Sequence, residues 1–366
     1  VFRVGHARGG AWAEATAACL RQLGDAQGAT LGFVYLSDQL AMHAAAILER
    51  LESTTGVTQW TGAVGIGVIA TGIEYLDEPA LTVLLADFPP EEFAVFSGRQ
   101  RPPAPGARTA SGASRAHFAI VHGDPQTEDM PTLIEDMARK VDSGFLVGGL
   151  ASSRSTPLQI ANGVLRGGLS GVVLSAAIPV ATRLTQGCTP LASRHTITEA
   201  QGNVIVTIDG RPALEVLRAD IGGALARDLE RAAHVIHAGL PVPGSDTGDY
   251  LVRNIVGADS RRGLLAIGAE VESGMPLVFC RRDGDAARAD LDRMLDAILE
   301  DVEAPLRGAL YFSCLGRGEH MFGARSAELE HVRARLGDVP LAGFFCNGEI
   351  SHDRLYGYTG VLAVFS

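Results

Sequence analysis

The sequence predicts an α+β fold in which a β-α-β-β unit recurs three times, giving mixed sheets flanked by helices, in two lobes. Three observations carry this reading. Three stretches follow one plan: an apolar run, a polar turn, an amphipathic stretch, a second apolar run, a glycine turn and a third apolar run. Within the amphipathic stretches apolar residues recur with a period near 3.6, so one helical face packs on a core. The apolar runs are nearly continuous rather than alternating, as expected of sheets covered on both faces.

Residues 1–29 are taken as a helical lead-in. The first unit starts at Leu31–Leu36, with Ser37 and Asp38 in the turn. A helix follows with Leu40, Ala44, Ile47, Leu48 and Leu51 on one face, then Thr61–Ile69 and a return at Ala80–Ala86. The second starts at His117–His122, turns at Gly123–Pro125, and has a helix carrying Met130, Leu133, Ile134, Met137, Ala138 and Val141. Phe145–Ser153 and the return Gly171–Ala176 complete it. The third runs from Ala309–Cys314 through the turn Leu315–Gly318, a helix with Leu329, Val332 and Leu336, then Pro340–Ile350 and Tyr358–Phe365. Asp38 and Ser326 suit N-caps, Pro131 a first helical turn, and Gly56, Gly144 and Gly337 helix ends.

The Pro- and Gly-rich stretch Arg99–Ser114 reads as a solvated connector between the first two units. Between the second and third lie apolar runs around Ala181, Asn203–Asp209, Gly263–Ala269 and Met275–Cys280, with helices at Ala213–Leu217, Ala224–His234 and Ala286–Val302. Gly239–Gly248 is a turn cluster. The main boundary is placed near residue 220, dividing the chain into 30–220 and 221–366.

Composition narrows the function classes. With 366 residues and 46% hydrophobic content, the chain has ample material for a core. No run is long and apolar enough for a membrane helix, and the first residues lack a signal-peptide core. A net charge of −11 disfavours a nucleic-acid partner. The single lysine, Lys140, excludes a Walker-type phosphate loop, which needs Gly-Lys-Ser/Thr. The five cysteines (Cys19, Cys188, Cys280, Cys314 and Cys346) are dispersed, which argues against a disulfide framework or zinc ribbon and for a cytoplasmic setting.

Several residues invite chemistry, each with a plainer alternative. Arg317, on a glycine-flanked turn, suits a bidentate clamp on a carboxylate or a structural salt bridge. Glu349 suits an ammonium or the amides of its own turn. Cys314 and Cys346 read as buried small residues rather than nucleophiles, which would need a depressed pKa and a base. Gly148 and Gly149 with Ser152 and Ser153 can bring amides and hydroxyls to an anion. His234 and His237 form an i, i+3 pair, but a metal there would need Asp246 or Asp249 to return to it. Gly65-Ile66-Gly67 mimics a dinucleotide fingerprint, yet β-branched residues follow it instead of a helix.

The segments Phe312–Gly318, Pro340–Ile350 and Tyr358–Thr359 resemble the FIST C-terminal domain. Gly65–Gly67 with Glu74, Asp124-Pro125, Gly148–Ser152, Gln186–Cys188 and Asp209–Ala213 resemble the FIST N-terminal domain. The short loop Ser351–Leu355 departs from relatives with a longer glycine-rich segment there. The resemblance implies an intracellular sensory protein that binds small molecules such as amino acids and signals through a separate partner, a kinase or cyclic-dinucleotide enzyme. Two alternatives stand beside this reading: a haem-binding nitric-oxide sensor, which the resemblance also implies, and a cysteine-dependent enzyme, suggested by the cysteines alone. Our expectation is a non-enzymatic sensor without a metal. Arg317 takes the ligand carboxylate and Glu349 its amine, while Cys314, Cys346, Asn347, Gly348 and the Gly148, Gly149, Ser152, Ser153 turn shape the walls.

Overall fold

A computed structural model describes residues 2–223, 225–242 and 250–366. The chain divides into two compact units, Val1–Gln186 with Asp290–Ser366, and Gly187–Ala289. The boundary read near residue 220 from sequence therefore falls inside the second unit, at the end of the helix Ala213–Ile221.

The first unit holds three six-stranded mixed sheets, one per repeat. In the first repeat Leu31–Ser37 and Gln59–Gly65 run parallel, joined by the helix Ala44–Thr55, and Ala80–Ala86 returns antiparallel. In the second the corresponding elements are Phe118–Gly123, the helix Met130–Ala138, Phe145–Leu150 and Leu169–Leu174. In the third they are Gly308–Cys314, the helix Ala327–Leu336, Leu341–Cys346 and Thr359–Phe365. The registers match as well. Gly62, Gly148 and Gly343 lie opposite Val34, Val121 and Tyr311. A Cβ at any of the three glycines would come within 1.8 Å of the carbonyl oxygen of that partner. The glycine is thus demanded by the closeness of the neighbouring strand.

Each repeat also lends a hairpin to another. After its second strand the first repeat sends out Gly67–Ala70 and Ile73–Leu76, which extend the third sheet. The second repeat's Gln159–Ala161 and Val164–Leu165 extend the first sheet. The third repeat's Glu349–His352 and Arg354–Tyr356 extend the second. Ile69, Ile160 and Ile350 are the hairpin residues opposite the three equivalent glycines. The exchange corrects one sequence reading: Thr61–Ile69 is two strands in two sheets, broken at Ile66.

The inner faces share one core. At its centre Tyr35, His122 and Phe312, equivalent residues of the three first strands, form a triangle with ring centroids 5.6, 6.2 and 6.2 Å apart. Phe344 fills the space beside them, 5.2 Å from Tyr35. Burying each phenyl ring contributes roughly 1.5–3 kcal/mol. His122 has no exposure, and burial drives its pKa down to about 3, so it is neutral. Its ring nitrogens meet the Thr61 and Tyr35 hydroxyls at 3.3 and 3.2 Å.

Local signals held unevenly. The lead-in carries a strand, Arg3–Arg8, on the first sheet as well as the helix Trp12–Leu23. Pro131 does stand in a first helical turn, and Gly56 and Gly337 end their helices at positive φ. Asp38 does not cap the long helix, which starts at Ala44; its carboxylate holds Arg154 at 2.7 Å. Ser326 occupies the cap position, yet its hydroxyl accepts the Glu74 N–H at 2.9 Å.

The second unit is a closed antiparallel ring. Pro276–Arg282 pairs with both His195–Gln201 and Ile236–Pro241, so the sheet leaves no free edge there. Ile197, Ile205, Leu265 and Phe279 fill it, with Leu214 and Leu217 of the helix Ala213–Ile221. The helical reading of His234 and His237 fails, since the helix stops at Val235 and His237 lies in the strand Ile236–Pro241. Asp246 and Asp249, with Pro243–Gly248 of the turn cluster, lie outside the described residues. No metal-binding cluster occurs among the described residues.

Candidate functional site

Parallel pairing levels the ends of the third repeat's strands, setting Cys314 beside Cys346. The Leu315 N–H donates to the Cys346 carbonyl at 3.1 Å, and the turn carries the chain to Arg317. On the other side the hairpin crosses to the second sheet and places Glu349 opposite Gly149 and Ile350 opposite Gly148. Residues far apart in sequence therefore meet. A Cβ on Gly149 would lie 2.2 Å from the Cys346 sulfur. The Asn347 N–H donates to the Leu150 carbonyl at 3.0 Å, and the Gly348 carbonyl accepts the Leu150 N–H at 2.9 Å. Ser152 is buried and stitches the first and third repeats. Its hydroxyl donates to the Phe345 carbonyl at 2.6 Å and accepts the Ile66 N–H at 2.8 Å. Ser153 is half-buried and bonds locally to Ser155. The Asn347 side chain is exposed.

Arg317 is wholly buried. Its Nε and Nη2 donate to Glu328 Oε1 at 2.8 and 2.6 Å, and its guanidinium lies over the Phe322 ring at 5.2 Å. Tyr311 and Ser313 donate to the same carboxylate at 2.5 and 3.3 Å. Burial alone would lower the guanidinium pKa; the adjoining Glu328 outweighs it, and the pKa ends above its ordinary value. Of the two sequence alternatives, Arg317 forms the salt bridge, and Glu328 is its partner.

Two further carboxyls surround this pair. Glu349 has no exposure; its Oε2 accepts the Thr359 N–H and hydroxyl at 3.2 and 2.8 Å, and its carboxyl also meets the Cys314 thiol, so its bonds go to neighbouring strands rather than its own turn. Glu74 is 7% exposed and receives N–H groups of Ser326 and Leu329 at the start of the third helix. Burial raises both carboxyls to about 8, with Glu328's charge adding to the shift at Glu74. Both therefore hold a proton at neutral pH. Burial, with Glu349 adding to it, pushes the half-buried Cys314 thiol up to about 12, and Cys346 is raised well above its ordinary value. Neither thiol is activated.

Three buried atoms in this cluster have no protein partner: Arg317 Nη1, Glu349 Oε1 and Glu74 Oε1. A cavity of about 100 Å³ reaches Glu74 from a wall that also includes Asp77, Glu319, His320 and Arg325. Sequence reasoning missed Glu328 and Tyr311. Glu328 sits in the charged stretch Ala327–Leu336, where nothing sets it apart from Glu330. Its one signal is its place beside Leu329, on the face that turns inward.

Among the described residues, neither the largest open cavity described below nor the surroundings of the buried His122 fits a haem. A haem needs a broad space bordered by an axial ligand such as His, Cys, Met or Tyr. A cavity of about 670 Å³ opens elsewhere in the first unit, but its wall holds no histidine, cysteine or tyrosine, and Met42 there is 85% exposed. The buried His122 has both ring nitrogens engaged inside packed aromatics.

The FIST N domain matches residues 30–211 and the FIST C domain residues 213–352. An uncharacterized protein of Mycobacterium tuberculosis is 33% identical over 342 residues, covering 87% of this chain and 86% of the relative. An uncharacterized protein of Mycobacterium bovis is 30% identical over 355 residues, covering 90% and 87%. No helix among the described residues is long and apolar enough to cross a membrane. With both domains matched in order along the chain, the protein belongs to the FIST family, whose domains are associated with small-ligand sensing in signal transduction.

Proposed function

We propose that the chain is a non-enzymatic, cytoplasmic sensor whose ligand is an amino acid, held at the strand ends around Arg317. The observation that carries this reading is the trio of buried, partnerless polar atoms Arg317 Nη1, Glu349 Oε1 and Glu74 Oε1. Buried polar groups are almost always hydrogen-bonded, so three orphans in one cluster are the signature of a small polar guest. One is a cationic donor and two are carboxyl oxygens, which is the complement of a carboxylate and an ammonium. Arg317 takes the ligand carboxylate, and Glu349 and Glu74 take the ammonium. The strand end bearing Gly148 and Gly149, with Ser152 and Ser153 just beyond it, is the back wall, and Cys314, Cys346, Asn347 and Gly348 stand beside it.

Competition supplies the switch. In the structure described, Glu328 occupies the guanidinium edge that a ligand carboxylate needs. Glu328 stands in the first turn of the helix Ala327–Leu336, so displacing it loosens that helix from the turn. A ligand shifts only an equilibrium whose two states it distinguishes, and this exchange of carboxylates distinguishes them. A separate protein, a kinase or cyclic-dinucleotide enzyme, reads the change. The thiols, with pKa values driven up by burial, support a binding role over cysteine catalysis.

A thermal-shift screen of the full chain against single amino acids tests this. Ligand at a hundred times its dissociation constant stabilises by roughly 2.7 kcal/mol. The shift should vanish in Glu349→Gln, which keeps the shape but removes the carboxylate. No shift with any amino acid, or an equal shift in Glu349→Gln, contradicts the reading.

A further inference from the structure

A second cavity, distinct from the cluster around Arg317, lies at another hairpin of the same unit. The cavity of about 670 Å³ forms where the second repeat's hairpin crosses to the first sheet, beneath the start of the first repeat's helix. That volume falls within the range of small-molecule sites. Its floor is apolar, built by Leu158, Leu165 and Leu169. Arg99 and Arg166 also border it, and no aspartate or glutamate does.

Three features set this cavity apart. Both arginines are exposed, and among the described residues neither guanidinium makes an ion pair or a hydrogen bond, the Arg99 backbone N–H alone donating to the Ser97 hydroxyl. In a chain with 42 acidic against 31 basic residues, two unneutralised guanidiniums on one acid-free cavity run against the overall charge. Asp124 is nearby in sequence to the second repeat's turn, but its carboxylate accepts the Gly167 and Gln126 N–H groups at 2.8 and 2.9 Å. Met42, also bordering the cavity, is 85% exposed, although the thioether is an adaptable apolar contact. Its neighbours Ala41 and Ala44 are buried.

We infer that this cavity binds a free organic anion with an apolar body, of the class of a medium-chain alkyl carboxylate. Arg99 and Arg166 hold the carboxylate at the mouth, in the fork geometry that suits guanidinium to carboxylate. The alkyl chain lies on Leu158, Leu165 and Leu169, with Met42 closing over it.

Calorimetric titration of the full chain with decanoate tests this, with decanol and acetate as separate arms. Saturable 1:1 binding of decanoate is expected, at least tenfold tighter than decanol, with none for acetate. The double variant Arg99→Gln/Arg166→Gln should lose at least tenfold in affinity. Ala45→Trp, on an exposed part of the wall, should abolish binding by filling the cavity while the melting temperature is kept. Equal affinity for decanol, unchanged binding in either variant, or no binding of decanoate overturns the inference. So does capture of the chain by anionic phospholipid vesicles when free decanoate leaves it untouched. Glu349→Gln is expected to bind decanoate normally, which separates this result from the fate of the amino-acid reading.

Discussion

Two hairpin crossings in the first unit share a backbone and differ in chemistry. Where the first repeat's hairpin joins the third sheet, Glu74 lies across from Ile69 and faces the Arg317–Glu328 pair. Where the second repeat's hairpin joins the first sheet, Val164 lies across from Ile160 and borders the 670 Å³ cavity. The third crossing carries Leu355 across from Ile350, packed against the cluster containing Met130 and Ile134. One register position is thus a carboxyl, a small apolar residue and a large one. The adjoining position is Val68, Gln159 and Glu349. Gln159 is fully satisfied by Ser170 and two glycine carbonyls, whereas Glu349 keeps an orphan oxygen. A repeated scaffold has made a polar cluster at one crossing, an open cavity at another and a packed core at the third.

The scaffold itself is the first thing to break. Alanine at Gly62, Gly148 or Gly343 would drive a methyl into a strand carbonyl, and Gly148 also has φ +151°. Each should cost about 3 kcal/mol or more by chemical denaturation. A small cost at one position would mean that its repeat is built differently from the others. Next comes Arg317→Ala, which leaves the Glu328 charge buried and unpaired, and should cost roughly 3–5 kcal/mol. Pairing Arg317→Met with Glu328→Leu should recover part of that loss.

The carboxyls give a smaller, pH-dependent effect. Between about pH 4.5 and 8 the folded chain keeps a proton on Glu349 that the unfolded chain has released. Its contribution to stability is therefore complete below 4.5 and is lost as pH rises through 8. Glu74 behaves alike. Melting temperature should fall across that window, and Glu349→Gln should remove about half of the slope. Equal slopes in the two proteins would show that Glu349 titrates normally. The smallest effect belongs to the open cavity. Arg99→Gln should change stability by less than about 0.5 kcal/mol, because the side chain is exposed and unpaired.

Much of the scaffold was legible in the sequence, because helical periodicity and apolar runs are local. The helices at 44–55, 130–138 and 327–336 and the three strand pairs follow from those patterns. The exchange of hairpins was not legible. Val164–Leu165 and Arg354–Tyr356 are too short to carry a pattern, and their partners are fixed only by tertiary packing. Arg317 and Glu349 stood out by their glycine-flanked turns, but a turn does not reveal that Glu328, eleven residues on, closes the guanidinium. The large cavity left no trace at all, since Arg99 falls in a stretch that reads as a plain connector.

The central claim is that a zwitterion completes the cluster around Arg317, its ammonium replacing the proton on a buried carboxyl. Calorimetry of the amino acid found by screening, run at pH 7 in two buffers of different ionisation enthalpy, measures this directly. The account predicts release of a proton on binding, and affinity that rises as the pH approaches 8. Binding heats that are the same in both buffers, with affinity flat from pH 6 to 8, would contradict it.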